Sequence, residues 1–124
     1  MQKIDANIIL RYLLNDHEEQ SAQAKKIIEE FRVEIPVEVL CEVVFVLTGY
    51  YKIDRQNICI NLKSFFEETK CTLPNRQAVL RGIEYFTEST LDFVDCILAG
   101  YAAAEKHEII TFDAKLQNFI SKIK

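Results

Sequence analysis

Short segments of strand-forming residues alternate with longer helical patterns along the whole chain, and this alternation is the feature that most constrains the fold. The strand-like segments are residues 2–5, the stretch from Val33 to Ile35, and Ile109-Ile110-Thr111. The chain has only three glycines and two prolines, so regular structure should dominate. Strands that alternate with helices predict an α/β fold in which helices flank a central parallel sheet.

The apolar spacing predicts seven helices, over about 7–14, 18–31, 37–50, 55–68, 75–88, 92–106 and 114–120. A further short strand around Cys71–Leu73 and an edge strand at Ile120–Lys124 would bring the sheet to four or five short strands. At 124 residues the chain is long enough for one domain with its own core, so we predict a single domain over 1–124.

Composition excludes several classes of protein. The formal net charge of -4 argues against a polycation that binds nucleic acid non-specifically, although acidic residues in a metal site would contribute to that charge. No basic segment followed by an apolar run begins the chain, and no apolar run reaches the ~20 residues that span a bilayer. We therefore expect a soluble cytoplasmic protein. The four cysteines are widely spaced, without a C-x-x-C pair, which predicts reduced core thiols: Cys41, Cys59, Cys71 and Cys96.

Five acidic residues follow the predicted strands or lie on the helices after them, and each admits two interpretations. Asp5 and Asp113 precede helices and would serve as plain N-caps. Asp92 and Asp95 are spaced as in a capping box. Glu42 interrupts the apolar segment Val37–Leu47. It either shares a solvated stripe with Glu38 at i and i+4, or is buried and requires a partner such as a metal ion.

Taken together, these residues resemble the PIN-domain nucleases, and among them the VapC-type toxins of toxin–antitoxin pairs. The similarity is carried by four segments in order along the chain: Asp5-Ala-Asn7-Ile-Ile-Leu-Arg-Tyr-Leu, Pro36-Val-Glu-Val-Leu-Cys-Glu42-Val-Val-Phe-Val-Leu, Leu91-Asp92-Phe-Val-Asp95-Cys-Ile-Leu-Ala-Gly-Tyr-Ala and Thr111-Phe-Asp113-Ala-Lys-Leu. Two positions depart from the pattern, because Glu38 and Gly100 stand where a smaller polar residue and Ala are expected.

The resemblance implies a three-layer PIN-like fold and a Mg²⁺-dependent ribonuclease site, with Mn²⁺ as the alternative cation. Oxygen ligands without His or Cys favour these ions over zinc. Our hypothesis makes Asp5 and Asp95 direct ligands, while Glu42 and Asp113 position water. Asp92 is a fifth acid, which would bind the metal through water. Asn7 and Thr111 match polar positions that orient the acids.

The resemblance also implies an RNA substrate, a cognate antitoxin of a type II pair, and a homodimer; no membrane partner is expected. Substrate contacts are less constrained by the sequence. Five basic residues are candidates, but a solvated helix face explains each equally well: Arg11, Lys52, Arg55, Arg76 and Arg81. The pair Tyr50-Tyr51 would stack on bases, or else pack in the core or in a dimer. His17 and His107 are interpreted as surface groups.

Two other functions compete with the nuclease. The first is a catalytically weak PIN-like module that binds RNA or protein. The second is a small response-regulator-like domain, which would need paired acids after the first strand and a later strand-end lysine. Asp5 has no adjacent acid, which disfavours that reading.

Overall fold

A computed structural model describes residues 1–123 of the chain. Its secondary structure falls into two units, Met1–Pro74 and Asn75–Lys124, which are described separately. The first unit contains β1 (Gln2–Lys3), α1 (Ala6–Leu14), α2 (Glu18–Glu30), β2 (Val33–Glu34), α3 (Val37–Gly49) and α4 (Arg55–Glu68). The second contains α5 (Arg76–Glu88), α6 (Phe93–Glu105) and α7 (Ala114–Ile123). The seven predicted helices are therefore all confirmed, with ends within a few residues of those expected.

The sheet of the first unit is parallel, as predicted, but very short. Gln2 pairs with Val33 and Lys3 with Glu34. Thr72 adds one parallel bridge on the other side of β2, where its N–H donates to the Val33 carbonyl at 2.8 Å and its carbonyl accepts from the Ile35 N–H at 2.9 Å. Pro74 follows two residues later and has no N–H to extend the pairing. The predicted strand around Cys71–Leu73 is thus reduced to a single bridge.

The expected sheet of four or five strands is not found within residues 1–123, where only β1 and β2 are strands. A strand needs a neighbouring strand for its backbone hydrogen bonds. In the described chain no backbone hydrogen bond joins Ile109-Ile110-Thr111 to another segment, so the strand predicted there is wrong. The edge strand predicted at Ile120–Lys124 is also wrong for residues 120–123. Leu116 and Ile120, spaced i and i+4, are both buried and carry α7 through to Ile123. Lys124 lies outside the described residues.

Helix ends in the first unit follow from local side-chain chemistry. Asp5 and Asp54 cap α1 and α4 by accepting from the N–H three residues on, at 3.2 Å and 2.8 Å. Asn15 ends α1 in the left-handed conformation (φ 48°), which asparagine tolerates better than most residues. His17 caps α2, since its Nδ1 accepts from the Gln20 N–H at 3.1 Å. A histidine cap was not expected from the sequence.

The core of the first unit is formed by one apolar face from each helix and by the strand β2. Eight of its large side chains are at most 2% exposed: Ile9, Ile28, Val33, Ile35, Leu40, Leu47, Ile58 and Leu62. On α3 the buried residues Leu40, Val43, Val44 and Leu47 follow helical spacing. Of the four cysteines, Cys59, Cys71 and, in the second unit, Cys96 are buried and Cys41 is half-buried, and none of them forms a disulfide. Burial raises the pKa of Cys41 and Cys71, which keeps both thiols protonated.

In the second unit, two glycines allow α5 and α6 to pack with their backbones close together. A Cβ on Gly100 would overlap the carbonyl oxygen of Ala78, and one on Gly82 would lie 3.0 Å from the Cα of Ile97. Real Cβ atoms do not approach a backbone oxygen as closely as at Gly100, so that position has no room for a side chain, and at Gly82 the neighbours would have to shift. Gly100, which departs from the family pattern, is therefore required by this packing. No helix within residues 1–123 is both long enough and apolar enough to cross a membrane.

Candidate metal centre

Asp92 and Asp95 lie at the beginning of α6, where the sequence allowed a capping box. Asp92 occupies the N-cap position but its side chain makes no capping hydrogen bond. Asp95 lies in the first turn, where the positive end of the helix dipole favours a carboxylate. The capping-box interpretation is therefore wrong, and helix capping does not account for these two acids.

Asp95 lies within electrostatic reach of two other carboxylates of the second unit. Its pKa is raised above the ordinary value, first by partial burial and then by the negative charges of Asp92 and Asp113. Both neighbours belong to the same unit as Asp95. Like charges raise the pKa of a carboxylate because ionisation next to them is unfavourable. The second unit thus brings together three of the five predicted acids.

Asp113 is held in place from both sides. Its Oδ1 accepts from the backbone N–H of Lys115 at 2.9 Å and of Leu116 at 3.2 Å, which makes it the cap of α7. Its own N–H donates to Oγ1 of Thr111 at 3.0 Å. Both capping bonds use one carboxylate oxygen, and no contact in the described chain engages Oδ2. The hydroxyl of Thr111 thus contacts the backbone of Asp113 and not its carboxylate.

In the first unit, Asp5 caps α1 in the same way that Asp113 caps α7. Its carboxylate accepts from the Ile8 N–H at 3.2 Å and is otherwise exposed at the end of β1. It borders an open depression of about 400 Å³ whose other walls include Lys3, Ile8 and Phe31. Asn7 is exposed in the first turn of α1. The plain-cap interpretation is therefore correct for Asp5 and for Asp113, but capping leaves one oxygen of each carboxylate for other partners.

Glu42 is exposed, so the buried one of its two interpretations is wrong. The reason is the orientation of α3, which buries Leu40, Val43 and Val44 and turns Glu38 and Glu42 together to the solvent side. The two glutamates form the solvated i, i+4 stripe that the sequence left as the alternative. Phe45, the next residue on that stripe, is 75% exposed. Because Glu42 is exposed, its charge needs no metal ion to offset a cost of burial. Its assignment to the metal site rests on the family pattern.

The chemistry of the donor set fits a hard divalent cation, although the described side chains do not form a ready-made ligand cluster. Within residues 1–123, no three His, Cys, Asp or Glu side chains are grouped closely enough to hold a metal ion. All five predicted acids are carboxylates, which suit Mg²⁺ or Mn²⁺. Mg²⁺ takes one or two protein carboxylates and keeps several waters, so Asp95 with one neighbour would suffice.

The basic and aromatic candidates divide into structural and exposed residues. Arg11 is half-buried and paired with Asp16 at 3.0 Å and with the Tyr51 hydroxyl at 3.2 Å, so it joins α1 to the end of α3. Tyr50, by contrast, is 78% exposed. Of the two histidines, His17 caps a helix and His107 contacts Glu105 at 3.1 Å, both on the surface as predicted.

Sequence reasoning missed two lysines on α7, Lys115 and Lys122. They lie on one side of that helix and border an open depression of about 420 Å³ in the second unit. Their i, i+7 spacing in an amphipathic helix was visible in the sequence, but the side of α7 that faces a depression was not.

Comparison with known proteins identifies the family but supplies no characterised relative. No curated protein and no solved structure matches the chain. The family profile of the PIN domain matches residues 4–120, which includes all five acids and nearly the whole chain. PIN domains have an α/β fold, are generally nucleases and typically use divalent metal ions. With this match over most of its length, the chain belongs to the PIN-domain family.

Proposed function

We propose that this PIN domain is a Mg²⁺-dependent endoribonuclease of the VapC type, with Asp5, Glu42, Asp95 and Asp113 as its acidic residues. The single observation that carries the proposal is the acid cluster of the second unit, defined as Asp95 and its two electrostatic neighbours Asp92 and Asp113. Asp95 has a raised pKa beside Asp92 and Asp113, and neither Asp92 nor Asp95 is used as a helix cap. Burial contributes most to this raised pKa and the two neighbouring charges add to it, and a perturbed pKa of this kind is typical of functional sites.

We assign each acidic residue a role in cation or water binding according to the contacts that hold it. Asp95, with Asp92 beside it, would hold the cation directly or through water. Asp113, fixed by Thr111 and by two N–H groups of α7, would hold a water molecule in one orientation. Asp5 and Glu42 join the set on the strength of the family pattern alone. A bound Mg²⁺ would supply charge neutralisation at the scissile phosphate and activation of the attacking water.

RNA cleavage by single-residue variants tests this proposal. The wild-type chain should cleave single-stranded RNA with Mg²⁺ or Mn²⁺ and should stop when EDTA is added. Asp95→Asn and Asp5→Asn should each reduce the rate by a factor of a hundred or more, on the order of the ~3 kcal/mol typical for loss of electrostatic stabilisation. Glu67→Gln, which alters an exposed carboxylate on α4, is the matched control. If both aspartate variants cleave as fast as the wild type, the proposed site is wrong.

Glu42 needs a test of its own because it is exposed. Glu42→Gln should reduce cleavage, whereas Glu38→Gln, on the same solvated stripe, should not. Equal activities of these two variants would remove Glu42 from the site while leaving the aspartates in it.

A second candidate function is a PIN-like module that binds RNA or protein without efficient cleavage. It is favoured by the lack of a ready-made ligand cluster within residues 1–123 and by the exposure of Glu42. A thermal shift with Mn²⁺ that is not accompanied by RNA cleavage would support it.

The toxin role adds further proposed partners, namely a cognate antitoxin and a second copy of this chain. Coexpression with the neighbouring reading frame and measurement of growth would test the antitoxin.

A further inference from the structure

The depression bordered by α7 in the second unit is lined by both cationic and apolar side chains. Lys115 and Lys122 line it together with Glu88, Asn118 and Phe119. Two lysines against one glutamate leave it with a net positive charge, in a chain whose overall charge is -4. Local charge of the opposite sign to the rest of the protein indicates a surface for an anionic partner.

The side chains that line the depression are arranged along one face of α7. Lys115, Asn118 and Lys122 follow the i, i+3, i+7 spacing of a single helix face. Residues seven apart on a helix are separated by about 10 Å along its axis. A stacked nucleic-acid strand rises about 3.4 Å per nucleotide, so this distance spans about three nucleotides. Two lysines on this face can therefore contact different phosphates of one strand.

Lys115 and Phe119, which line the depression, are positioned by contacts within the unit. The Lys115 Nζ donates to the Thr90 carbonyl at 3.2 Å, which holds its charge near the loop that precedes α6. The Phe119 ring packs edge-on against Tyr85 with centroids 5.1 Å apart. An apolar ring between two cations suits a partner that alternates charged phosphates with flat bases and sugars.

The depression adjoins the acid cluster through two short stretches of chain. Thr90 and Leu91, on its wall, directly precede Asp92, and Lys115 is two residues from Asp113. The acids repel the phosphates of an approaching strand, and cations beside them offset that repulsion.

We infer that Lys115 and Lys122 form a subsite that binds the backbone of single-stranded RNA on one side of the acidic residues. The inference rests on the proposed ribonuclease function, which it extends by assigning substrate contacts. The subsite is independent of base sequence, because lysine contacts to phosphates position a strand without reading it.

The inference is tested by measuring the binding of a fluorescent single-stranded RNA. Anisotropy is recorded at several salt concentrations, with Ca²⁺ in place of Mg²⁺. Each phosphate contact contributes about 0.7 to the slope of log affinity against log salt concentration for a single strand. Lys122→Gln should therefore lower that slope by about 0.7 and weaken binding of all RNA sequences alike. The double variant Lys115→Gln/Lys122→Gln should lower it by about twice as much.

Two controls separate lost contacts from disturbed folding. Lys25→Gln removes the same charge from an exposed position on α2 and should leave the slope unchanged. Lys115→Arg retains the charge and should therefore retain the slope. Melting temperatures of all variants should agree with that of the wild type.

The outcomes for the subsite and for the nuclease are distinct. Suppose that the wild-type chain cleaves RNA and that the double lysine variant binds RNA with unchanged slope and affinity. The subsite is then wrong, and the nuclease assignment stands. A lysine-dependent slope in a chain that never cleaves RNA supports the subsite and overturns the nuclease. A wild-type chain that does not bind RNA overturns the subsite.

Discussion

The carbonyl oxygen of Ala78 on α5 occupies the space that a side chain on Gly100 of α6 would need. Gly100→Ala should therefore destabilise the protein by about 1–3 kcal/mol, the usual cost of an overpacked core, despite the better helix propensity of alanine. Gly49 at the end of α3 has no atom within 4 Å of a built Cβ, so Gly49→Ala should be neutral or stabilising by up to about 1 kcal/mol. Urea unfolding of both variants checks this, and equal effects would contradict the close approach of α5 and α6.

Asp95 should destabilise the metal-free protein at neutral pH. Its pKa is higher in the folded state than in the unfolded chain, so the folded state binds its proton more tightly. Stability therefore falls as pH rises from the ordinary carboxyl range through the raised pKa of Asp95, and the loss is complete above it. Asp95→Asn should raise the melting temperature in EDTA at pH 7, and the gain should shrink as the pH is lowered toward the ordinary aspartate pKa.

The same variant should lose its response to metal. Mg²⁺ or Mn²⁺ binds the folded form and should raise the melting temperature of the wild type. Asp95→Asn should abolish most of that rise, while Glu67→Gln should retain it. An equal metal-dependent rise in the wild type and in Asp95→Asn, measured by scanning calorimetry, would place the cation elsewhere.

Asp113 should show separate structural and functional effects. Asp113→Ala removes the cap of α7 and should cost about 1 kcal/mol of stability. Asp113→Asn retains an oxygen for the Lys115 and Leu116 N–H groups and should keep most of that stability, while it removes the charge. If the residue serves only as a cap, Asp113→Asn will cleave RNA as fast as the wild type.

The hydroxyl of Tyr51 should contribute to the stability of the first unit, since it accepts from the half-buried Arg11 guanidinium at 3.2 Å. Tyr51→Phe should cost about 1–2 kcal/mol, because a hydrogen bond to a charged group is lost. Tyr50→Phe, at the exposed neighbour, should cost nothing measurable. Chemical denaturation of the two variants tests the pair, and equal stabilities would exclude the contact.

Local patterns in the sequence were enough to locate the helices and the caps at Asp5 and Asp113. Residues within a few positions of one another determine each of three features: the apolar stripe of α1, the cap at Asp5 and the apolar segment of α3. Hydrogen bonds within a helix and caps at its ends involve only near neighbours, so they follow from composition and spacing. The order of the four family-like segments along the chain likewise made Asp92 and Asp95 candidate site residues.

Tertiary packing decided what local patterns left open. Glu42 had two interpretations, and the side of α3 that packs inward selected the exposed one. Ile109-Ile110-Thr111 has strand-forming residues, yet a strand also needs a hydrogen-bonding partner that its own sequence does not specify. Gly100 seemed a departure in the sequence, and only its distance from Ala78 explains it. The sequence alone therefore determined the helices, the family and the candidate acids. The structure determined which side chains are buried, because burial depends on neighbours distant in the chain.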